Sequence, residues 1–255
     1  MHVAIHADRR TLGRAAATAA ASGIRAACRD RGAAHVVVAT GASQFEVLAA
    51  LAAEPDVPWA AVTLHHLDEY VGLPADHPAS FRRYLHERFV DLLPVRPAAF
   101  HEIDGGADPE AECRRLAGLV PDGDFDVGLV GIGENAHLAF NDPPADFTTR
   151  DAHIVVTLDE ACRRQQVGEG WFRSLGDVPT RAISMSIRRI LASRMLVCSV
   201  PGPKKAWAVR AAVEGPVTPD VPASVLQEHP DCRLHLDRDS AARLARPPGT
   251  TDGSV

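Results

Sequence analysis

Apolar residues along the chain fall into two periods. Short unbroken runs such as "HVVVAT" at 35–40, "FDVGLV" at 125–130 and "RMLVCSV" at 194–200 read as strands buried on both faces. Longer segments repeat their apolar positions every three to four residues and read as helices. These are an Ala-rich stretch over 10–32, closed by Gly32, and segments 43–54, 78–93, 108–120, 160–172 and 203–215. Further strands are predicted at 59–67, "AHIVVTLD" and "RAISMSI", with a short first strand at "HVAIH" and a weak one at "AFHEI". A short helix follows at "RRILAS", and "PASVLQEH" and "CRLHLDRDSAARLA" finish the fold. This alternation predicts an α/β fold, a single doubly wound, mostly parallel sheet with helices on both faces. No linker or repeat interrupts it, so one domain over 1–246 is expected. The tail 247–255 has the composition of a disordered end.

Composition narrows the function. A net charge of −6 supplies no basic field for a nucleic-acid backbone, so no nucleic-acid partner is expected. No apolar run approaches the roughly 18–20 residues that span a bilayer, so no membrane partner is expected either. The five cysteines are scattered and form no C-x-x-C pair, which fits reduced thiols and a cytoplasmic location. Only two lysines occur, Lys204 and Lys205, and they are adjacent; only two asparagines occur, Asn135 and Asn141, packed within nine positions with His137, Glu134 and Asp142.

In open α/β sheets ligands bind beyond the carboxyl ends of the strands. Four polar clusters are expected there. Gly41, Ala42 and Ser43 start a helix, where backbone amides suit a phosphate; Ser43 would otherwise simply cap that helix. Asp68 and Glu69 follow the strand at 59–67, where a carboxylate serves as a general base or as a cap or salt-bridge partner. Gly131, Gly133, Glu134, Asn135, His137, Asn141 and Asp142 follow "FDVGLV"; His137 reads as a proton shuttle or as a structural histidine. The lysine pair opens a helix, the wrong end for a cation unless an anion lies between, or is a solvated pair. No histidine–carboxylate run has metal-ligand spacing. Together the clusters point to proton transfer on a sugar phosphate.

Three segments, "LDEYVGLPADHPASF" (67–81), "GIGENAHLAFNDP" (131–143) and "KAWAVRAAVEG" (205–215), resemble glucosamine-6-phosphate deaminases, a family that shares its fold with 6-phosphogluconolactonases. The resemblance implies conversion of glucosamine 6-phosphate to fructose 6-phosphate and ammonia, with no metal and no organic cofactor. It makes Asp68 the base between C2 and C1, His137 the relay to the ring oxygen, and Asp142 its orienting carboxylate. Gly41, Ala42, Ser43 and Lys205 would hold the phosphate, with Arg163 or Arg164 as the family's phosphate arginine. Glu69, Gly131 and Gly133 would border the substrate. Segment 72–92 resembles a lid. Asn135 and Ala136 stand where the family has Asp and Gly, and Asp142 where it has Glu. Losing that carboxylate is expected to shift the pH dependence or the substrate, and the Ala136 methyl is expected to approach the sugar. The stretch 144–154 lacks the residues of the hexamer's allosteric site, so a smaller homo-oligomer without that regulation is expected. Other readings are a relative acting on galactosamine 6-phosphate, an N-acetylated sugar phosphate or a phosphosugar lactone, and a catalytically weak sugar-phosphate sensor.

Overall fold

The computed structural model describes residues 1–119 and 124–245. The predicted tail 247–255 and the last residue of the helix predicted at 108–120 lie outside the described residues. In chain order the elements are β1 (His2–His6), α1 (Arg9–Arg31), β2 (Ala34–Val38), α2 (Phe45–Ala52), β3 (Val62–His66) and β4 (Asp68–Tyr70). Then come α3 (Phe81–Arg88), β5 (Ala99–His101), α4 (Pro109–Ala117), β6 (Phe125–Val130), β7 (His153–Thr157) and α5 (Glu160–Gly168). The chain closes with β8 (Arg181–Met185), α6 (Ile187–Leu191), β9 (Ser193–Val200), α7 (Ala206–Glu214) and β10 (Cys232–Asp237).

Seven strands form the main sheet, all parallel, in the order β1-β10-β9-β6-β2-β3-β5. From β2 the chain builds outward through β3 and β5, then crosses to the other side of β2 to lay down β6, β9 and β10. The order therefore reverses between β2 and β6, and a crevice opens beyond their carboxyl ends. The apolar pattern follows this layout: all six residues of the central strand β6 are buried. One face of the sheet is covered by α1 and α2, whose Ala16, Ala17, Ala20 and Leu48 join Val36, Leu64 and Leu129 in one core. The other face packs Val37, Leu196 and Leu234 against Val209 and Ala212 of α7.

Polar residues cap several of the helices. Asp8 accepts from Thr11 N–H, and Gly32 takes the left-handed turn (φ 79°) that ends α1. Asp108 caps α4, with Pro109 in its first turn.

The strength of the sequence pattern did not separate out a second, smaller sheet. Strands β4, β8 and β7 pair antiparallel apart from the main sheet. Its first strand begins two residues after β3 ends. At that junction Leu67 N–H donates to Val38 O on the main sheet, and Leu67 O accepts from Met185 N–H on the small one. Asp68 is the first residue past the junction.

Candidate active site

The crevice at the reversal point is lined by residues from all four predicted clusters. After β2 the chain turns at Gly41 (φ 91°), a conformation L side chains rarely adopt, and enters a 3-10 turn over Ala42–Gln44. Gly41 O accepts from the Tyr84 hydroxyl of α3. Gly41, Ala42 and Ser43 all line the crevice, and the Ser43 hydroxyl accepts from Gln44 rather than capping α2. Gly131 lies across from it: a Cβ there would come 3.1 Å from Ser43 Oγ.

The lysine pair divides. Gly202 (φ 94°), held by the Asp237 carboxylate through its N–H, starts the 3-10 turn Pro203–Lys205. Lys205 is buried and lines the crevice; Lys204 is exposed and lies 3.9 Å from Glu134 outside it. Burial lowers the Lys205 pKa, and the charges of Glu169 and Glu134 oppose that shift.

Asp68 also lines the crevice and is only 6% exposed, and its Oδ1 has no hydrogen-bond partner among the described residues. Burial, then the charge of Glu69, pushes its pKa up to about 8. Glu69 does not border the crevice. Its two oxygens accept from Tyr70 N, Phe81 N, Arg82 N and Ser80 Oγ at 2.9–3.2 Å, so it anchors the start of α3 to β4. That corrects its expected place beside the substrate. The wall it supports is aromatic: Phe81 and Phe140 line the crevice, stacked with centroids 5.6 Å apart.

His137 is held by a compact turn. Gly133 N–H donates to His137 O and Ala136 N–H to Gly133 O, with Ala136 left-handed at φ 68°. Gly133 must be glycine, because a Cβ there would sit 2.2 Å from His137 Nε2. Asn141 fastens the turn to the small sheet, donating to Leu138 O, Ser184 Oγ and Met185 O. The Ala136 methyl is wholly buried in the core and does not line the crevice, which overturns the expectation that it approaches the sugar.

The Asp142 carboxylate faces His137 Nδ1 at 3.0 Å, Asn135 Nδ2 at 3.0 Å and Asp159 N–H at 3.0 Å, and the Cys162 thiol also hydrogen-bonds to it. Burial alone would raise its pKa, but the His137 hydrogen bond and charge, with those of Asn135 and Asp159, outweigh it and hold it below the usual value. Asn135 does not touch the imidazole ring. Its amide bridges Asp142 to Asp159 (3.1 Å), and its carbonyl accepts from His137 N–H. Glu134 points away from His137, toward Lys204.

Neither candidate arginine lines the crevice. Arg163 donates to Leu175 O and Val178 O and braces the loop after α5; Arg164 is exposed and pairs with Glu160. Gln165, Gln166 and Glu169 border the crevice from that segment instead. Gln165 accepts from Glu134 N–H and donates to Glu169, which also accepts from Trp171. Sequence reasoning missed these three and Asp159. For Asp159 a signal existed, since it caps α5 through Cys162 N–H. For the glutamines there was none beyond their place in the segment. Among the described residues, one group of three metal-ligating side chains lies close together, His137, Asp142 and Cys162.

Residues 7–234 match the family model described as glucosamine-6-phosphate isomerases/6-phosphogluconolactonase. Glucosamine-6-phosphate deaminase 1 of Bacillus subtilis (strain 168) is 40% identical over 183 residues, 71% of this chain and 74% of that protein. A glucosamine-6-phosphate deaminase of Pseudarthrobacter chlorophenolicus is 35% identical over 248 residues, 96% of this chain and 93% of that one. A solved structure described as a monomeric glucosamine-6-phosphate deaminase superimposes with a TM-score of 0.87 at 34% identity, over 95% of this chain and 100% of that one. A 6-phosphogluconolactonase of Thermotoga maritima shares the fold, with a TM-score of 0.76 at 15% identity over 92% of this chain and 99% of that one.

Proposed function

The chain belongs to the glucosamine-6-phosphate isomerase/6-phosphogluconolactonase family, and on that footing we propose that it converts glucosamine 6-phosphate and water to fructose 6-phosphate and ammonia. The observation that carries the reading is the buried Asp68 carboxylate, with an unpartnered oxygen, lining one crevice together with His137, Lys205 and the Gly41 turn.

Lys205 and the turn over Gly41, Ala42 and Ser43 grip the phosphate, a buried cation beside backbone dipoles. His137 offers its Nε2 side to the crevice while Asp142 holds Nδ1, so it relays a proton to the ring oxygen as the pyranose opens. Asp68 takes the proton from C2, which leaves an enolamine, and returns it to C1, which gives the C2 imine. Water adds to that imine, and ammonia leaves. A carboxylate with its pKa pushed up to about 8 is a stronger base once ionised than an exposed one. Hydrolysing a lactone would require an activated water instead of this C–H transfer, and the lactonases match only at the level of fold. A single chain, or an assembly smaller than a hexamer, is the form we infer, supported by the relative described as monomeric.

Ammonia and fructose 6-phosphate are to be measured together for wild type and Asp68→Asn. Stoichiometric products from wild type, reduced at least 10³-fold in the variant, are expected. Demonstrable binding of glucosamine 6-phosphate without turnover would overturn the enzymatic reading and identify a sensor.

A further inference from the structure

The thiol of Cys162 has no part in that chemistry, yet it lies within 4.8 Å of ligating atoms of both His137 and Asp142. It stands in the first turn of α5, where the Asp159 cap fixes its backbone, and it is almost wholly buried. Nitrogen and carboxylate oxygen from one turn converge there with sulfur from α5. A tetrahedral zinc ion bonds such ligands at about 2.0–2.3 Å, which sets them about 3.3–3.8 Å apart. His137 Nδ1 and Asp142 Oδ1 are already at 3.0 Å, and the sulfur, within 4.8 Å of both, needs to close by at most about 1–1.5 Å. Asn135 and the Asp159 N–H hold the carboxylate from behind, as outer partners hold ligating carboxylates in metal sites.

We propose that His137 Nδ1, Asp142 and Cys162 form a site for a soft divalent cation, Zn²⁺ being the type, and that its occupancy inhibits the enzyme. The ion takes the place of the proton between Nδ1 and Asp142, which moves to Nε2 of a neutral imidazole, and the thiol loses its own. One proton leaves when the imidazole starts neutral and two when it starts protonated, two anionic ligands balance the charge, and nothing is oxidised. With the metal on Nδ1, the imidazole no longer has the carboxylate to stabilise its protonated form, so the relay stops. Because protons compete for the same atoms, binding weakens as pH falls. The site itself stands apart from the functional reading; only the inhibition rests on it.

The test uses Co²⁺ as a spectroscopic probe and Zn²⁺ as inhibitor on the full chain. Wild type is expected to show a thiolate-to-cobalt charge-transfer band that Zn²⁺ abolishes, absent in Cys162→Ser and in Asp142→Asn. Asp142→Asn keeps the thiol and so tests the site even if Cys162→Ser fails to fold. Deamination is expected to fall more than 10-fold with Zn²⁺ and to recover with chelator. Cys162→Ser, compared with its own chelator-treated rate, should need at least 10-fold more Zn²⁺. A band of equal strength in both variants, or no band in wild type, overturns the site. A band without any deamination in the metal-free protein sustains the site and overturns the proposed function instead.

Discussion

Asp68 is a residue whose usefulness conflicts with its comfort. Its folded pKa of about 8 lies far above the ordinary 3.8, so the unfolded chain ionises first. Between those values the unfolded state holds fewer protons, and stability falls as pH rises. Asp68→Asn is therefore expected to melt several degrees above wild type at pH 8, with the gap closing toward pH 4, in thermal scans across that range. In kcat/KM the same group should give an acid limb well above the normal carboxylate range. Asn135 sets up a second pH-dependent case. An aspartate there would put a third carboxylate about 3 Å from both Asp142 and Asp159, where one must keep a proton. Asn135→Asp should lose stability relative to wild type from pH 5 to 8 and shift the pH–rate profile; superimposable profiles would refute this. Gly133→Ala drives a methyl into His137 Nε2 and should cut kcat about 100-fold or more in steady-state assays, since a displacement near 1 Å has that cost. At this scale the sequence was readable where one residue type has few other uses: the scarce lysines marked Lys205, which lines the crevice, and the asparagines marked the turn that holds His137. It was unreadable for Glu69 and the arginines, whose common role of satisfying nearby backbone groups looks the same in sequence as a role toward a ligand.

Among the elements, β4 and α3 depend on one side chain. Glu69 satisfies three backbone N–H groups and the Ser80 hydroxyl, two of those N–H groups in the first turn of α3. Glu69→Gln turns an amide donor toward two of those donors in place of a carboxylate oxygen. It is expected to destabilise the fold by about 1–3 kcal/mol in urea titrations, and to raise KM because Phe81 loses its footing in the crevice wall. The lid expected over 72–92 accordingly has a fixed point at its middle. Buried strands were legible because continuous apolar runs admit few alternatives, as at β6. The small sheet was not, because β7 is half-exposed and β4, on the other side of β8, is three residues long. The sequence shows strands, but which strands pair depends on contacts between distant segments.

For the molecule as a whole, light scattering behind size exclusion should return the mass of one chain or of an assembly below six; a hexamer would refute the inference. The four clusters meet because the sheet reverses between β2 and β6, and no local pattern encodes that reversal. It follows from crossover order. The junction at Leu67 has a mechanical meaning as well. On the roles proposed above, the phosphate is gripped by loops of the main sheet. The base sits on the first strand of the small sheet, and the relay turn is pinned to its Ser184 and Met185. The crevice is thus a caliper with one jaw on each sheet. Its gauge, the reach from phosphate to reacting carbon, is set by how the two sheets tilt against each other. A change far from the crevice that rocks the small sheet would alter which length of sugar fits while leaving every residue in the jaws the same.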